Sequence, residues 1–285
     1  MNLITVPQNS VVIEPELVID PVEQIRPHYN MKETYQFIST ADIVSRLESL
    51  GWHVEITSVA SVRKADKRGF QKHMLRLRNP SYGRMMLNGD EVQPEIVIVN
   101  SHDGSTSTRI YLGIVRFACL NGLIAGTGFK DVRVIHSKNF SNKLVMGMEH
   151  VTQNIPELTS MISFLSSTQF QASELEELVQ STVDYKLRTI PNLVKAYYDT
   201  ATQVRRYQDR KQDAWTVLNR LQESLIRGGI SYDYKKFHTI QDSEGKTIKL
   251  DTYDVLTRAT RKTSSIQQNI LLNRFVFDKA MQVLK

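Results

Sequence analysis

The stretch EIVIVNSHDGSTSTRIYLGIVRFACLNGLIAGTGFKDVRVIHS, Glu95 to Ser137, decides the fold. Two apolar runs, Ile96 to Val99 and Ile110 to Phe117, flank an eight-residue connector, Asn100 to Ser107, built of Asn, Ser, His, Asp, Gly and Thr. Strands of β-branched residues joined by residues that tolerate turns spell a hairpin. Asp103 is expected to accept backbone hydrogen bonds within the connector, with Gly104 at positive φ. The second strand runs into Cys119-Leu120-Asn121-Gly122-Leu123, where Asn-Gly signals a turn. A short strand, Val132 to Ile135, ends at His136.

Working outward, Ser39 caps a helix that buries Ile43, Val44, Leu47 and Leu50 and stops at Gly51. Trp52, Val54, Ile56, Ala60 and Val62 alternate with polar residues, giving a strand with one buried face and a bulge near Ser58 and Val59. From Arg63 to Arg84 there are eight Lys or Arg against one acid, Asp66. If Phe70 to Arg78 is a strand, Lys72, Arg76 and Arg78 share one face while Leu75 and Leu77 point to the core. Lys64 to Gly69 then forms a cationic turn. Two readings stand side by side: a solvated hairpin edge protected from aggregation by charge, and a phosphate-contacting finger of Lys64, Lys67, Arg68, Lys72, Arg76, Arg78 and Arg84, with Tyr82 interleaved to stack on bases.

Residues 1–30 carry prolines at 7, 15, 21 and 27 and four acids. Such spacing resists helix and predicts an extended arm, packed on its own domain, linking subunits, or disordered. Beyond the decisive stretch, Leu144 to about Ser166 and Ser173 to Ile190 read as helices, the second opened by a capping box at Ser173 to Glu176. Pro191 begins another, rich in tyrosine and arginine, continuing to Gly228-Gly229. Tyr232 to Leu256 reads as an irregular insertion or small hairpin around Ser243 to Lys246. The last helix, from Ser265, buries Ile266, Ile270, Phe277, Met281 and Leu284. The fold class is therefore α+β: an antiparallel β-meander core preceded by a helix, with a helical C-terminal half. The chain divides into three regions, an arm at 1–30, the core at 31–140 and a mainly helical region at 141–285.

Net charge is +6, from 36 Lys and Arg against 30 Asp and Glu, which puts polyanions first among partners. The single cysteine, Cys119, excludes an internal disulfide framework. No segment has the length and apolarity of a membrane span, and the reading is a cytoplasmic protein.

The HDGS turn at His102 to Ser105, the arginine-bearing strand with Arg109 and Arg116, the CLNGL segment with Asn121 and Gly122, and the VRVIHS end at His136 together carry a resemblance. So do the helix with Trp215 and Asn219 and the final Ser264 to Asn273 segment. The chain resembles the phage- and plasmid-borne family catalogued as domain of unknown function 932, from about Gly51 to Lys285. The resemblance implies a phage or plasmid origin and no established reaction. The core also resembles, in architecture, single-strand annealing proteins of the Rad-fifty-two type.

Among groups that could carry chemistry, no pair of His102, Asp103, Cys119 and His136 has a recognised ligand spacing, so no metal is assigned. Cys119 after an apolar strand reads as core. Trp215 and Asn219, four apart, share a helix face as packing with a buried amide. No catalytic residue and no cofactor is assigned. The leading expectation is a non-enzymatic nucleic-acid-binding protein, single-stranded DNA favoured, acting in replication, recombination or strand annealing, and able to form a homo-oligomer. The alternative is a phage–host interaction protein that binds a host protein through its helical half.

Overall fold

The structure, a computed structural model, describes residues 20–31, 35–87, 89–119 and 121–285. The expected arm lies mostly outside these residues. Its described end forms a 3₁₀ turn, Pro21–Glu23, and then packs on its own domain: His28 is buried and its N–H donates to the His102 carbonyl.

Helix α1 (Thr40–Glu48) is capped by Ser39, whose side chain accepts from the Ala41 N–H, and the chain turns at Gly51 with φ +83. Strands β1 (His53–Val59), β2 (His73–Arg78), β3 (Met85–Leu87), β4 (Asp90–Asn100), β5 (Thr108–Arg116), β6 (Asn121–Ile124) and β7 (Val132–Val134) make one antiparallel sheet. Its order is β1-β2-β4-β5-β6, with β3 also on β4 and β7 also on β5. The register places Leu75 opposite Ile98 and Ile98 opposite Ile110.

Alternation then sends Leu75, Leu77, Ile96, Ile98, Ile110, Leu112 and Ile114 into the main core with Ile43 and Leu47. Met74, Val97, Val99, Tyr111 and Ile124 form a second cluster with Ile266 and Ile270. Both faces of β4 and β5 are covered. That is why their sequences are continuous apolar runs instead of alternating ones.

Ile56 departs from expectation: it is 38% exposed. The bulge falls between Val54 and Ile56, not at Ser58 and Val59. One extra residue reverses the phase of the strand, so Ile56 pairs with Arg76 on the face away from Leu77. Asn121 and Gly122 differ too: they are already in β6, opposite Arg116 and Val115, and the turn comes before them.

Helices α2 (Phe140–Thr152) and α3 (Ile155–Ser167) replace one expected helix, broken at Gln153-Asn154 with Pro156 in the first turn of α3. Helix α4 (Ala172–Leu187) opens on a capping box between Gln171 and Glu174, two residues earlier than expected. The tyrosine- and arginine-rich segment is not helical. It holds a short strand, β8 (Leu193–Ala196), and two 3₁₀ turns, Tyr198–Thr202 and Tyr207–Arg210. Helix α5 (Ala214–Arg227) starts only where the Asp213 carboxylate accepts from the Thr216 N–H.

Strands β9 (Ser231–Gln241) and β10 (Thr247–Ala259) form a hairpin much longer than a small insertion, and β8 completes this second sheet. Helix α6 (Ile266–Val283), capped by Ser265, buries Ile266, Ile270 and Phe277, with Met281 and Leu284 half-buried against the core.

The connector between β4 and β5 is held as expected. Asp103 accepts from the Ser105 N–H at 3.0 Å, and Gly104 has φ +72. A Cβ on Gly104 would stand 3.1 Å from Met31 Sδ. Replacing Gly104 by Val is therefore expected to destabilise the protein by about 1 kcal/mol or more, read as a lower thermal midpoint. An unchanged midpoint would mean that the turn tolerates a β-branched residue.

Candidate nucleic-acid interface

The basic finger divides in two. Toward the Arg84 end its cations are neutralised within the fold. Arg76 is buried and pairs with Glu95; Arg78 pairs with Glu55 at 3.3 Å and Arg84 with Glu91 at 3.2 Å. Tyr82 lies with its ring 5.4 Å from that of Trp52. Arg76 is withdrawn from any contact face because the sheet face carrying it is covered by the C-terminal helices, whereas Arg84 and Tyr82 stay exposed beside Glu91 and Trp52. Toward the other end, Lys64 and Arg68 are exposed and Lys72 is half-exposed, none with an ion-pair partner among the described residues. Lys67 is 3.2 Å from Asp103.

Lys67 and Lys72 line a cleft of about 360 Å³ with Ser264, Ser265 and Gln267, so the finger meets the N-terminus of α6. A second cleft, also about 360 Å³, shares Ser264 and Ser265 and adds Lys262. A third, about 560 Å³, shares Lys262 to Ser265 and adds Lys186, Arg188, Arg258 and Arg261. The three clefts thus share Ser264 and Ser265. Their described lining residues include Lys67, Lys72, Lys186, Arg188, Arg258, Arg261 and Lys262 as cations and Asp103 as the one carboxylate. Sequence reasoning missed the last five of these cations. The Arg-Lys-Thr-Ser-Ser run just before a capped helix was the available signal.

Aromatic side chains accompany cations on the β9–β10 hairpin. Arg258 lies over Tyr234 at 4.8 Å, Lys235 over Tyr253 at 4.2 Å and Lys249 over Phe237 at 3.6 Å. Arg258 and Tyr232 belong to both the hairpin and the largest of the three clefts.

His102 and His136 do come together, with His73, which the sequence reading did not single out. The start of β2, the ends of β4 and β7 and the start of α1 converge on one end of the sheet. His73 Nδ1 is 3.0 Å from the Gln71 carbonyl and its Nε2 is 2.8 Å from Thr40 Oγ1. His102 Nε2 is 3.0 Å from the Pro21 carbonyl and 3.2 Å from Thr40 Oγ1, which also accepts from Asn100 Nδ2 at 2.9 Å. His136 Nε2 is 3.0 Å from Asn100 Oδ1, and Tyr35 OH is 2.6 Å from its Nδ1.

Each carbonyl contact requires a ring N–H, so the Thr40 hydroxyl donates to His73 Nε2 and the Tyr35 hydroxyl to His136 Nδ1, while the His102 Nε2–H is shared between the Pro21 carbonyl and Thr40 Oγ1. The set is therefore consistent with three neutral imidazoles. Burial, reinforced at His102 by His73, lowers the pKa of His102 to about 4, and burial lowers that of His136 to about 4. Between pH 6.5 and 4 the unfolded chain binds protons that the folded one refuses. The stabilisation is thus complete above about pH 6.5 and is lost as pH falls toward 4. The urea midpoint is expected to drop between pH 7 and 5, and less so in His136→Asn; a flat midpoint would contradict the neutral network.

The Asp103 carboxylate accepts from Lys67 and the Ser105 N–H and not from the imidazoles, and Cys119 is buried beyond the opposite end of β5. His102, Asp103, Cys119 and His136 are thus not one site. Arg109 and Arg116 are both engaged in the fold: Arg109 with Asp131 at 2.7 Å, Arg116 buried between Asp90 and Asp209. Trp215 and Asn219 are buried on α5, and Asn219 Nδ2 donates to the Trp215 carbonyl at 2.8 Å.

A family model described as "Domain of unknown function (DUF932)" matches residues 27–276. The chain belongs to the DUF932 family. It is also similar to two proteins of Escherichia coli (strain K12), UPF0380 protein YafZ and UPF0380 protein YfjQ. Each is 30% identical over 207 residues, which is 72% of this chain and 72% of the relative. No solved structure matches. The three imidazoles, the Arg116 cluster and the described lining of the three clefts lie inside the matched span. No described helix is long and apolar enough to cross a membrane.

Proposed function

We propose that this DUF932 protein binds single-stranded nucleic acid along the clefts that join at Ser264 and Ser265, as a binding protein of replication, recombination or strand annealing. The observation that carries the reading is the one-signed charge of that path: cations from α4, β10, the segment before α6 and the β1–β2 connection, against Asp103 alone among the described lining residues. A phosphate backbone meets such a path by releasing condensed counterions, without need of a base sequence. Tyr232 at the cleft and Tyr234, Phe237 and Tyr253 on the hairpin add aromatic faces beside cations, the combination that suits unstacked bases.

Fluorescence anisotropy with single- and double-stranded oligonucleotides of mixed sequence tests this. Tighter binding of the single strand is expected. Neutralising Lys72, Arg261 and Lys262 together is expected to flatten the salt slope by about 2 units and to weaken all sequences alike. An unchanged slope would move the ligand off this path.

A protein partner is the second reading, and the hairpin favours it. Ile240 and Ile248 face each other across β9 and β10 and are 51% and 41% exposed, and Val255 is 53% exposed. Absence of nucleic-acid binding at low salt would bring this reading to the front.

A further inference from the structure

The largest of these three clefts gathers more positive charge than the interior of a strand needs. Lys186, Arg188, Arg258, Arg261 and Lys262 line its roughly 560 Å³, and no carboxylate stands among its described lining residues. An internal phosphodiester brings one negative charge, whereas a terminal phosphate brings about 1.5 to 2 at neutral pH, and a polyphosphate more. The volume falls within the range usual for small-molecule sites, about 300–1,000 Å³.

Lys186 is the telling group. It is half-buried, its ammonium donates to Thr263 Oγ1 at 2.5 Å, and burial lowers its pKa. A partly desolvated ammonium among four other cations is stabilised by an anion, and no described lining residue of the cleft provides one.

The cleft is also held in place before any ligand arrives. The Thr263 N–H donates to the Ile226 carbonyl at 2.7 Å and the Thr260 N–H to the Ile230 carbonyl at 2.8 Å. Gly228 at φ +90 lets the Thr260 carbonyl approach to where any Cβ would collide. These contacts fix the segment bearing Arg261 and Lys262 to the end of α5, and preorganised donors bind anions with little ordering cost. The Ser264 and Thr189 hydroxyls add further donors along the wall.

We propose that this cleft receives a terminal phosphate group, either the phosphorylated end of a strand whose body lies in the neighbouring clefts, or the polyphosphate of a free nucleotide. For the strand-end source the inference rests on the nucleic-acid reading. For the nucleotide source it does not.

The test compares oligothymidylates of one length with a terminal phosphate or a terminal hydroxyl, labelled at the other end, by anisotropy. Calorimetric titrations with pyrophosphate and thymidine triphosphate run alongside. Arg261→Gln with Lys262→Gln, both exposed positions, and Lys186→Gln, checked by its melting curve, remove the charge. The phosphorylated strand is expected to bind about ten-fold tighter, the size of one charge-assisted contact. The double variant is expected to erase that difference, whereas Lys72→Gln weakens both strands alike.

Displacement of the phosphorylated end by triphosphate would place both sources in the same cleft. Equal affinity for the two strands, with no heat from pyrophosphate or triphosphate, would overturn the proposal and leave the nucleic-acid reading standing. Triphosphate binding that the double variant loses, with no strand bound, would keep the cleft as a nucleotide site while the nucleic-acid reading falls. No binding of any probe would end both.

Discussion

Arg116→Ala is expected to lower the unfolding free energy by about 3–5 kcal/mol, the usual result of breaking a buried ion pair from one side. The guanidinium is 1% exposed. Its Nε and Nη2 donate to the two oxygens of Asp90 at 2.8 and 3.1 Å, its Nη1 donates to Asp209 at 2.5 Å, and Nη2 also reaches the Gln208 carbonyl at 3.1 Å. Removing it leaves two carboxylates, each about 2% exposed, with their main cation gone. Arg206 pairs with both Asp209 and Glu223, so it would partly compensate on that side, whereas Asp90 has no second ion-pair partner among the described residues. Because Asp209 lies in the Tyr207–Arg210 turn, the loss should be felt beyond β5. Urea unfolding measures the total, and hydrogen exchange should show the segment 197–210 opening first. A variant that unfolds like wild type would mean that the cluster is not a structural tie.

The second large effect belongs to the glycines under the Arg76–Glu95 pair. The pair is buried between the sheet and the C-terminal helices. Nη2 of Arg76 donates to the Gly122 carbonyl, and Gln222 donates to the same oxygen and to Asn273. A Cβ on Gly122 would overlap the guanidinium and the carboxylate, and one on Gly113 would stand 2.9 Å from the Leu123 carbonyl and 3.2 Å from Glu95 Cγ. Only the absence of side chains at these two strand positions makes room for the charges. Gly122→Ala is therefore expected to cost about 3 kcal/mol, between simple overpacking and loss of the pair. Arg76→Ala is expected to cost about 3–5 kcal/mol because it strands Glu95. The two act on one interaction, so the double variant should be less destabilised than the sum. Strict additivity in urea titrations would show that Gly122 matters for another reason.

The central hairpin was legible because both faces of β4 and β5 are covered, which writes Ile96 to Val99 and Ile110 to Val115 as unbroken apolar runs. Ile56 was misplaced because alternation cannot reveal a bulge, and one extra residue at Glu55 exchanges the faces. The segment 191–213 looked helical because nothing after Pro191 breaks a helix. Tertiary contacts decide it: β8 pairs with β9, Arg206 and Asp209 are drawn to Glu223 and Arg116, and Asp213 caps only the helix that begins at Ala214. The excess of lysine and arginine pointed to a polyanion, but not to its place. Arg76, Arg78 and Arg84 find carboxylates from elsewhere in the fold. The cations that remain together come from α4, β10 and the approach to α6, separated by more than seventy residues of chain. The histidine network was half visible, in His102 and His136; His73 and Thr40 carried no signal of their own.

The most direct test of the proposed interface is the affinity of the wild-type protein for an unstructured single strand over a salt series. With about five of the cleft cations in contact with phosphates, log K should fall linearly with log salt concentration at a slope near −3.5. No measurable binding at low salt, or a slope near zero, would contradict it.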